Sequence, residues 1–350
     1  MKADVEFIME IGIPKEIRRN ESRVSLVPHD VAKLVEARHR VHVEENAGVA
    51  SGFPAGEYAE AGAVITDGIR NCDLIVGVKA PALDLLKEGI TLMAYLHVEK
   101  GQNAKLLARL KKKKVLSYAF EEIRNGNGKR LVNLGFEAGI VGTAEGLRIL
   151  GRIFEKNNRP NPFKQLKHVR EYGSREQIYS EIAKLDTKNA INIVIMGKGC
   201  VSRGVQDLLG RANTNPLVLW KNETANIEKY LPDVDILVNA VDWYPEEPCI
   251  IKKSMLKLLK RTALILDISC DKNGAIQTCI PTTWKNPVYE KEGITHFCVS
   301  NLPSAIPRDS SVRLSSMILR RVMKVANGEE LNTGMMTKNG KFVYRRVVHS

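Results

Sequence analysis

The stretch Ile191-Asn192-Ile193-Val194-Ile195-Met196-Gly197-Lys198-Gly199-Cys200-Val201-Ser202-Arg203-Gly204 restricts the fold of this chain more than any other. A β-branched apolar run stops at two glycines, and a helical pattern (Val205, Leu208, Leu209) begins at once. That order predicts a strand, a tight turn and a helix N-terminus. In such a turn the backbone can approach a pyrophosphate, and the helix end offers free N–H groups and a positive dipole end. The third fingerprint position is Ser202 rather than glycine, and a lone glycine fingerprint is weak. The next strand, Leu217-Val218-Leu219-Trp220, arrives at the spacing of a βαβ unit, so dinucleotide binding is expected here. An ordinary strand-to-helix turn that happens to contain glycines is the bland alternative.

The N-terminal half alternates in the same way. Short strands are expected at 10–14, 40–44, 73–79, 90–96 and 115–120, with a helix at 29–37. Asn125-Gly126-Asn127-Gly128 is a turn signal, and 136–154 is the longest helical pattern. Gly139 and Gly142 near its start would let a neighbouring backbone pack closely. A polar loop with Pro160 and Pro162 leads to a second series of strands at 191–196, 217–220, 235–241, 262–268 and 295–299. A helix at 309–325 and a hairpin around Asn339-Gly340 end the chain. Strand–helix alternation implies mostly parallel sheets with helices on both faces, and 350 residues suggest two domains.

Composition excludes more than it identifies. No apolar run approaches the roughly 20 residues that span a bilayer, and the N-terminus reads as no signal peptide, so a cytoplasmic enzyme without a membrane partner is expected. The six cysteines form no CxxC pair and no zinc spacing; they read as reduced thiols, and no metal site is expected. Net charge is +13, which suits anionic cofactors and substrates. The densest basic run, Lys111-Lys112-Lys113-Lys114, follows a helical stretch with no interleaved aromatics, so it reads as a solvated helix C-terminus rather than a nucleic-acid surface.

Ligands of open α/β sheets bind beyond the strand C-termini. Lys79 follows Leu74-Ile75-Val76-Gly77-Val78, His97 follows Leu92-Met93-Ala94-Tyr95-Leu96, and Arg23 lies in the loop after the first strand. Each alone is more often structural, but three converging at one edge is a better signal. Arginine can hold a carboxylate bidentately, and a partly buried lysine or histidine can exchange protons near neutral pH. Asp267 and Asp271 flank the strand Ala263-Leu264-Ile265-Leu266, where loop capping is the plain alternative to a role facing a nicotinamide. The second strand of a dinucleotide fold commonly ends in an acid that bonds the ribose 2′-hydroxyl. Here it ends in Trp220-Lys221-Asn222, and a cation at Lys221 favours NADP over NAD.

These residues, in this order, resemble the family of alanine dehydrogenase, lysine-forming saccharopine dehydrogenase and N5-(carboxyethyl)ornithine synthase. The resemblance rests on Ile11-Gly12-Ile13-Pro14-Lys15-Glu16, Asn20-Glu21-Ser22-Arg23-Val24, Val78-Lys79-Ala80-Pro81 and Tyr95-Leu96-His97. It rests further on the block from Leu266 to Gly274, on Pro281-Thr282-Thr283 and on Asn301-Leu302-Pro303-Ser304-Ala305-Ile306-Pro307. It implies an α/β fold of two Rossmann-like, doubly wound parallel-sheet domains with a cleft between them. Residues 1–138 and 303–350 would form the substrate domain, and 139–302 the dinucleotide-binding domain. It also implies Lys79, His97 and Asp271 as catalytic residues and Arg23 and Arg130 as carboxylate holders. Cofactor contacts are implied at Gly197, Gly199, Val201, Ser202, Asn301 and Leu302.

The stretch Gly128-Lys129-Arg130-Leu131-Val132-Asn133-Leu134-Gly135 resembles the saccharopine branch, although Glu137 departs from its motif. The implied activity is the NAD(P)-dependent reductive condensation of a 2-oxo acid with an amino-acid amine, and its reverse; a homo-oligomer is also among the expected partners. Alanine dehydrogenase, using pyruvate and ammonia, is the alternative. A nucleotide-sensing protein that kept the fold is a rival of another class.

Overall fold

The structure is a computed structural model that describes residues 7–99, 101, 103–185, 187, 190–220 and 222–344. Two compact units emerge, one built from the residues up to 133 together with those from 307 onward, the other from 134–306. Lys221 lies outside the described residues.

The first unit begins with β1 (Glu10–Ile13), α1 (Pro28–Glu36), β2 (Arg40–Glu44), α2 (Ala55–Glu60) and β3 (Val64–Thr66). It continues through β4 (Leu74–Lys79), β5 (Thr91–Tyr95), α3 (Ala104–Lys112) and β6 (Leu116–Ala119). Pro28 at the first turn of α1 loses nothing by lacking an N–H there. Arg109, Lys111 and Lys112 close α3 where cations suit the dipole.

In the second unit come α4 (Gly135–Lys156), α5 (Arg175–Ile182), β7 (Ile193–Met196), α6 (Cys200–Arg211), β8 (Leu217–Leu219) and β9 (Ile236–Asn239). They are followed by β10 (Leu264–Asp267), β11 (Val288–Lys291) and β12 (Ile294–Phe297). The chain then returns to the first unit as α7 (Pro307–Ala326), β13 (Met335–Lys338) and β14 (Lys341–Phe342).

The first sheet has the order β14-β13-β6-β5-β4-β1-β2-β3. Its six N-terminal strands are parallel, and their order reverses between β1 and β4, so the crevice for a ligand opens beyond the C-terminal ends of those two strands. The hairpin β13–β14 adds antiparallel to β6, with Ser117 and Thr337 sharing a buried hydroxyl contact at 2.6 Å. Helix α7 is tied to the N-terminal loop: Ser311 Oγ accepts from Val24 N (3.0 Å), and Ser315 Oγ accepts from Val27 N (3.1 Å) and donates to Asp30 (2.6 Å). Residues from the far end of the sequence therefore fix the segment that carries Arg23.

The second sheet has the order β11-β12-β10-β9-β7-β8, parallel except for the edge strand β11, and it reverses between β7 and β9. β7, β9 and β10 are buried along their whole length, as strands covered on both faces must be. Helix α4 packs on α6 through paired glycines. A methyl at Gly139 would be driven into the Val201 carbonyl, and one at Gly204 into the Phe136 carbonyl. The expected periodic elements are present, whereas α2, β3, α5 and β11 have no counterpart among the expectations. Three of these are short, and α5 is weakly amphipathic.

Candidate active site

The reversal point of the first sheet gathers the expected ionisable residues. Lys79 ends β4 at a break in the β4–β5 register, the kind of irregularity that re-aims a side chain. His97 follows β5 with φ +49°, a left-handed backbone uncommon for a residue other than glycine. Lys79 Nζ and His97 Nε2 are 3.1 Å apart. The amine also lies 4.9 Å from the centroid of the Tyr95 ring. Burial, then the charges of Arg23 and Arg18, lower the Lys79 pKa to about 7.

Two buried carboxylates hold this pair from behind. Glu16, just past β1, accepts from the backbone N–H of Val78 (2.6 Å) and of Lys79 (3.1 Å). Glu121 accepts from the N–H of Leu96 (3.1 Å) and of His97 (2.5 Å), and its Oε1 lies 3.6 Å from His97 Nδ1. Burial pushes both carboxyls up to about 7; neighbouring Glu21 adds to the effect on Glu16, and Glu99 to that on Glu121. The result is a carboxylate–imidazole–amine series, with one acid clamping each strand end. Gly77 leaves room for it, since a methyl there would sit 3.4 Å from Glu16 Oε1 and 2.7 Å from the Lys79 carbonyl.

Arg23 is buried, and its Nε and Nη2 are forked onto Glu21 at 2.7 and 2.5 Å. The bidentate face expected for a substrate is thus engaged by the chain itself. Arg130 belongs to the same unit, in an isolated bridge to Arg124. Glu16, Glu21, Tyr95 and Glu121 were not singled out by sequence reasoning. Glu16 lay in view inside Pro14-Lys15-Glu16, but only the tertiary structure shows that its carboxylate reaches β4.

In the second unit, the turn after β7 has the geometry the glycines promised. Gly197 has φ +101°, and a methyl there would meet the Ala240 carbonyl at 2.8 Å, so the turn rests against the end of β9 at the reversal point. Gly199 caps α6 with no side-chain hydrogen bond and has open space where a Cβ would be. The first N–H groups of α6, from Cys200, Val201 and Ser202, therefore start at a bare cradle suited to a pyrophosphate. Ser202 is buried and its hydroxyl accepts from Gln206 Nε2 (3.0 Å). The close helix packing usually supplied by the third glycine falls to Gly204.

Asn301 adopts φ +65° and leads into a short 3-10 turn at Leu302–Ala305, whose Leu302 packs beneath α4. Asp271 opens a turn closed by Gly274 N–H on the Asp271 carbonyl (2.9 Å). The buried Asp267 accepts from Asn239 Nδ2 and from Cys270 N, both at 2.9 Å. Lys79, His97 and Arg23 come together in the first unit, while Asp271 and the glycine cradle belong to the second.

A bare helix N-terminus suited to a dinucleotide at one sheet reversal and a buried cluster of ionisable side chains at another fit a nicotinamide-dependent oxidoreductase. The N-terminal domain of the alanine dehydrogenase/PNT family matches residues 12–141, and its C-terminal domain matches residues 167–345. The chain belongs to this family, and it is an oxidoreductase.

An alanine dehydrogenase of Staphylococcus epidermidis is 32% identical, with 97% of this chain and 96% of that protein covered. One of Bacillus subtilis is 29% identical, covering 97% and 94%. Among solved structures, an L-alanine dehydrogenase superposes with TM-score 0.74 at 24% identity, covering 96% of this chain and 97% of that one. A transhydrogenase from Sinorhizobium meliloti gives 0.68 at 17%, covering 96% and 99%. Both structures share the fold of two Rossmann-like domains. The relatives carry the alanine dehydrogenase name, which corrects the expected placement nearest the saccharopine branch. They lend no support to NADP, a preference that rested on Lys221 alone.

Proposed function

We propose that this chain catalyses the reversible, NAD-dependent oxidative deamination of L-alanine to pyruvate and ammonia. The observation that carries the reading is the Glu121–His97–Lys79 series at the reversal of the first sheet, beside a buried arginine. The names of relatives that match almost the whole chain supply the substrate.

The cofactor would be held by the backbone of Gly197, Gly199, Val201 and Ser202 and by the segment at Asn301 and Leu302. Bound there, the nicotinamide would supply the hydride acceptor, or donor, for the substrate Cα. The chain's own residues handle charge and protons. Arg23 supplies a fixed positive charge for the substrate carboxylate. Neutral Lys79 can take a proton from the alanine ammonium or from the water that attacks the imine carbon, and His97 can pass it on while Glu121 balances the imidazolium. Asp271, in the second unit, is proposed as a further catalytic acid. Assembly of Arg23, Lys79 and His97 around one strand end argues against a pure nucleotide sensor, which needs only the cradle.

The test is NADH and NADPH oxidation with pyruvate or 2-oxoglutarate, each paired with ammonia, lysine or ornithine. Turnover with NADH, pyruvate and ammonia is expected. Turnover that requires lysine or ornithine would overturn this reading in favour of the saccharopine or opine type.

A further inference from the structure

We propose that Asp267, Cys279 and Cys298 form a structural zinc site inside the second unit. The ligand atoms of these three buried residues all lie within 4.8 Å of one another. A tetrahedral site with Zn–S bonds of about 2.3 Å has edges of about 3.8 Å, so the donors need to close by only about an ångström. The donor set is two thiolates and a carboxylate, which suits Zn²⁺ far better than Mg²⁺ or Ca²⁺.

The carboxylate supplies an independent sign of a ligand. Oδ1 of Asp267 accepts from Asn239 Nδ2 and Cys270 N, whereas no N–H or O–H reaches the buried Oδ2, and the Cys279 thiol is the polar group beside the carboxylate. A thiol is a weak donor for a buried carboxylate oxygen, and a cation held between the thiolates and that oxygen satisfies it better. On binding, the two thiol protons leave to solvent as two Zn–S bonds form, and the ion's charge offsets the thiolates. Cys270, whose Sγ donates to the Asp267 carbonyl at 2.8 Å and the Val299 carbonyl at 3.5 Å, offers a further thiol for the fourth position.

The ligands come from the end of β10, the loop beyond it and the residue after β12. No CxxC or other compact spacing could reveal them in the sequence. Their union would staple both ends of the loop that carries Asp271 to the neighbouring strand. This inference does not depend on which amino acid the enzyme oxidises.

The full chain, purified without a metal-affinity tag, should hold about one zinc per chain by mass spectrometry of the digested protein. After removal of zinc under reducing conditions it should take up Co²⁺ with a thiolate-to-cobalt charge-transfer band. Cys279→Ser and Cys298→Ser should each lose the metal at least about tenfold, whereas Cys72→Ser, in the other unit, should keep it. X-ray absorption of the zinc-loaded wild type should show two or three sulfur neighbours, a readout that stands even if the serine variants fail to fold. The proposal is overturned if the wild type holds no zinc and binds neither Zn²⁺ nor Co²⁺. Cys279 joined to Cys298 in a disulfide, or metal retained in the Cys279→Ser/Cys298→Ser double variant, would also overturn it.

Discussion

Three influences act on the amine of Lys79. Burial disfavours its charge, Arg23 and Arg18 repel it, and His97 stands at hydrogen-bond distance from it. With a pKa near 7, it is a base poised at neutral pH. Lys79→Met and His97→Gln should each lower kcat by about 10²–10⁴, with the NADH dissociation constant nearly unchanged in a fluorescence titration. In the oxidative direction kcat should rise as pH increases through about 7, because only neutral Lys79 accepts a proton; a flat wild-type pH profile would remove it as the base.

Glu16 has a separate signature in stability. Its folded pKa is raised from 4.5 to about 7, so between those values the folded state binds more protons than the unfolded one. The wild type therefore loses stability from this group as pH rises through that window, by up to about 3 kcal/mol. Glu16→Gln keeps an acceptor for the two N–H groups and cannot ionise. It should raise the melting temperature at about pH 8 and leave it nearly unchanged at about pH 4, measured by calorimetry across pH.

Among the elements, α6 separates two uses of glycine. At Gly204 a methyl would meet the backbone of α4, which cannot yield as a side chain can. Gly204→Ala should destabilise the protein by at least about 2 kcal/mol in urea unfolding. At Gly199 the same methyl meets open space. Gly199→Ala should unfold like the wild type but bind NADH more weakly, because the methyl stands in the cradle. If both variants weakened only cofactor binding, the packing role assigned to Gly204 would be wrong. The glycines and the β7–α6 turn were legible in the sequence because a strand, a turn and a helix start are local events. The exchange of the third glycine's role from Ser202 to Gly204 was not, since it depends on where α4 crosses α6.

For the whole molecule, the order of the segments matters. The second unit is one continuous stretch, 134–306, whereas the first needs both ends of the chain. A fragment spanning 134–306 should fold cooperatively and bind NADH without oxidising alanine. A fragment spanning 1–133 should not fold, because it lacks β13 beside β6 and the α7 serines that hold the N–H groups of Val24 and Val27. Circular dichroism and urea titration of the two fragments decide this.

The sequence by itself determined the α/β class, most strand and helix positions, the glycine turn after β7 and the placement of Lys79, His97 and Arg23 beyond strand ends of one sheet. Each follows from a local period or from a residue type at a strand end. Only the tertiary structure decided what surrounds them. Glu16 and Glu121 clamp the strand ends, Glu21 occupies the Arg23 fork, and Asp267 meets two cysteines far along the chain. Burial and long-range neighbours set these charges and contacts, and neither leaves a period in the sequence.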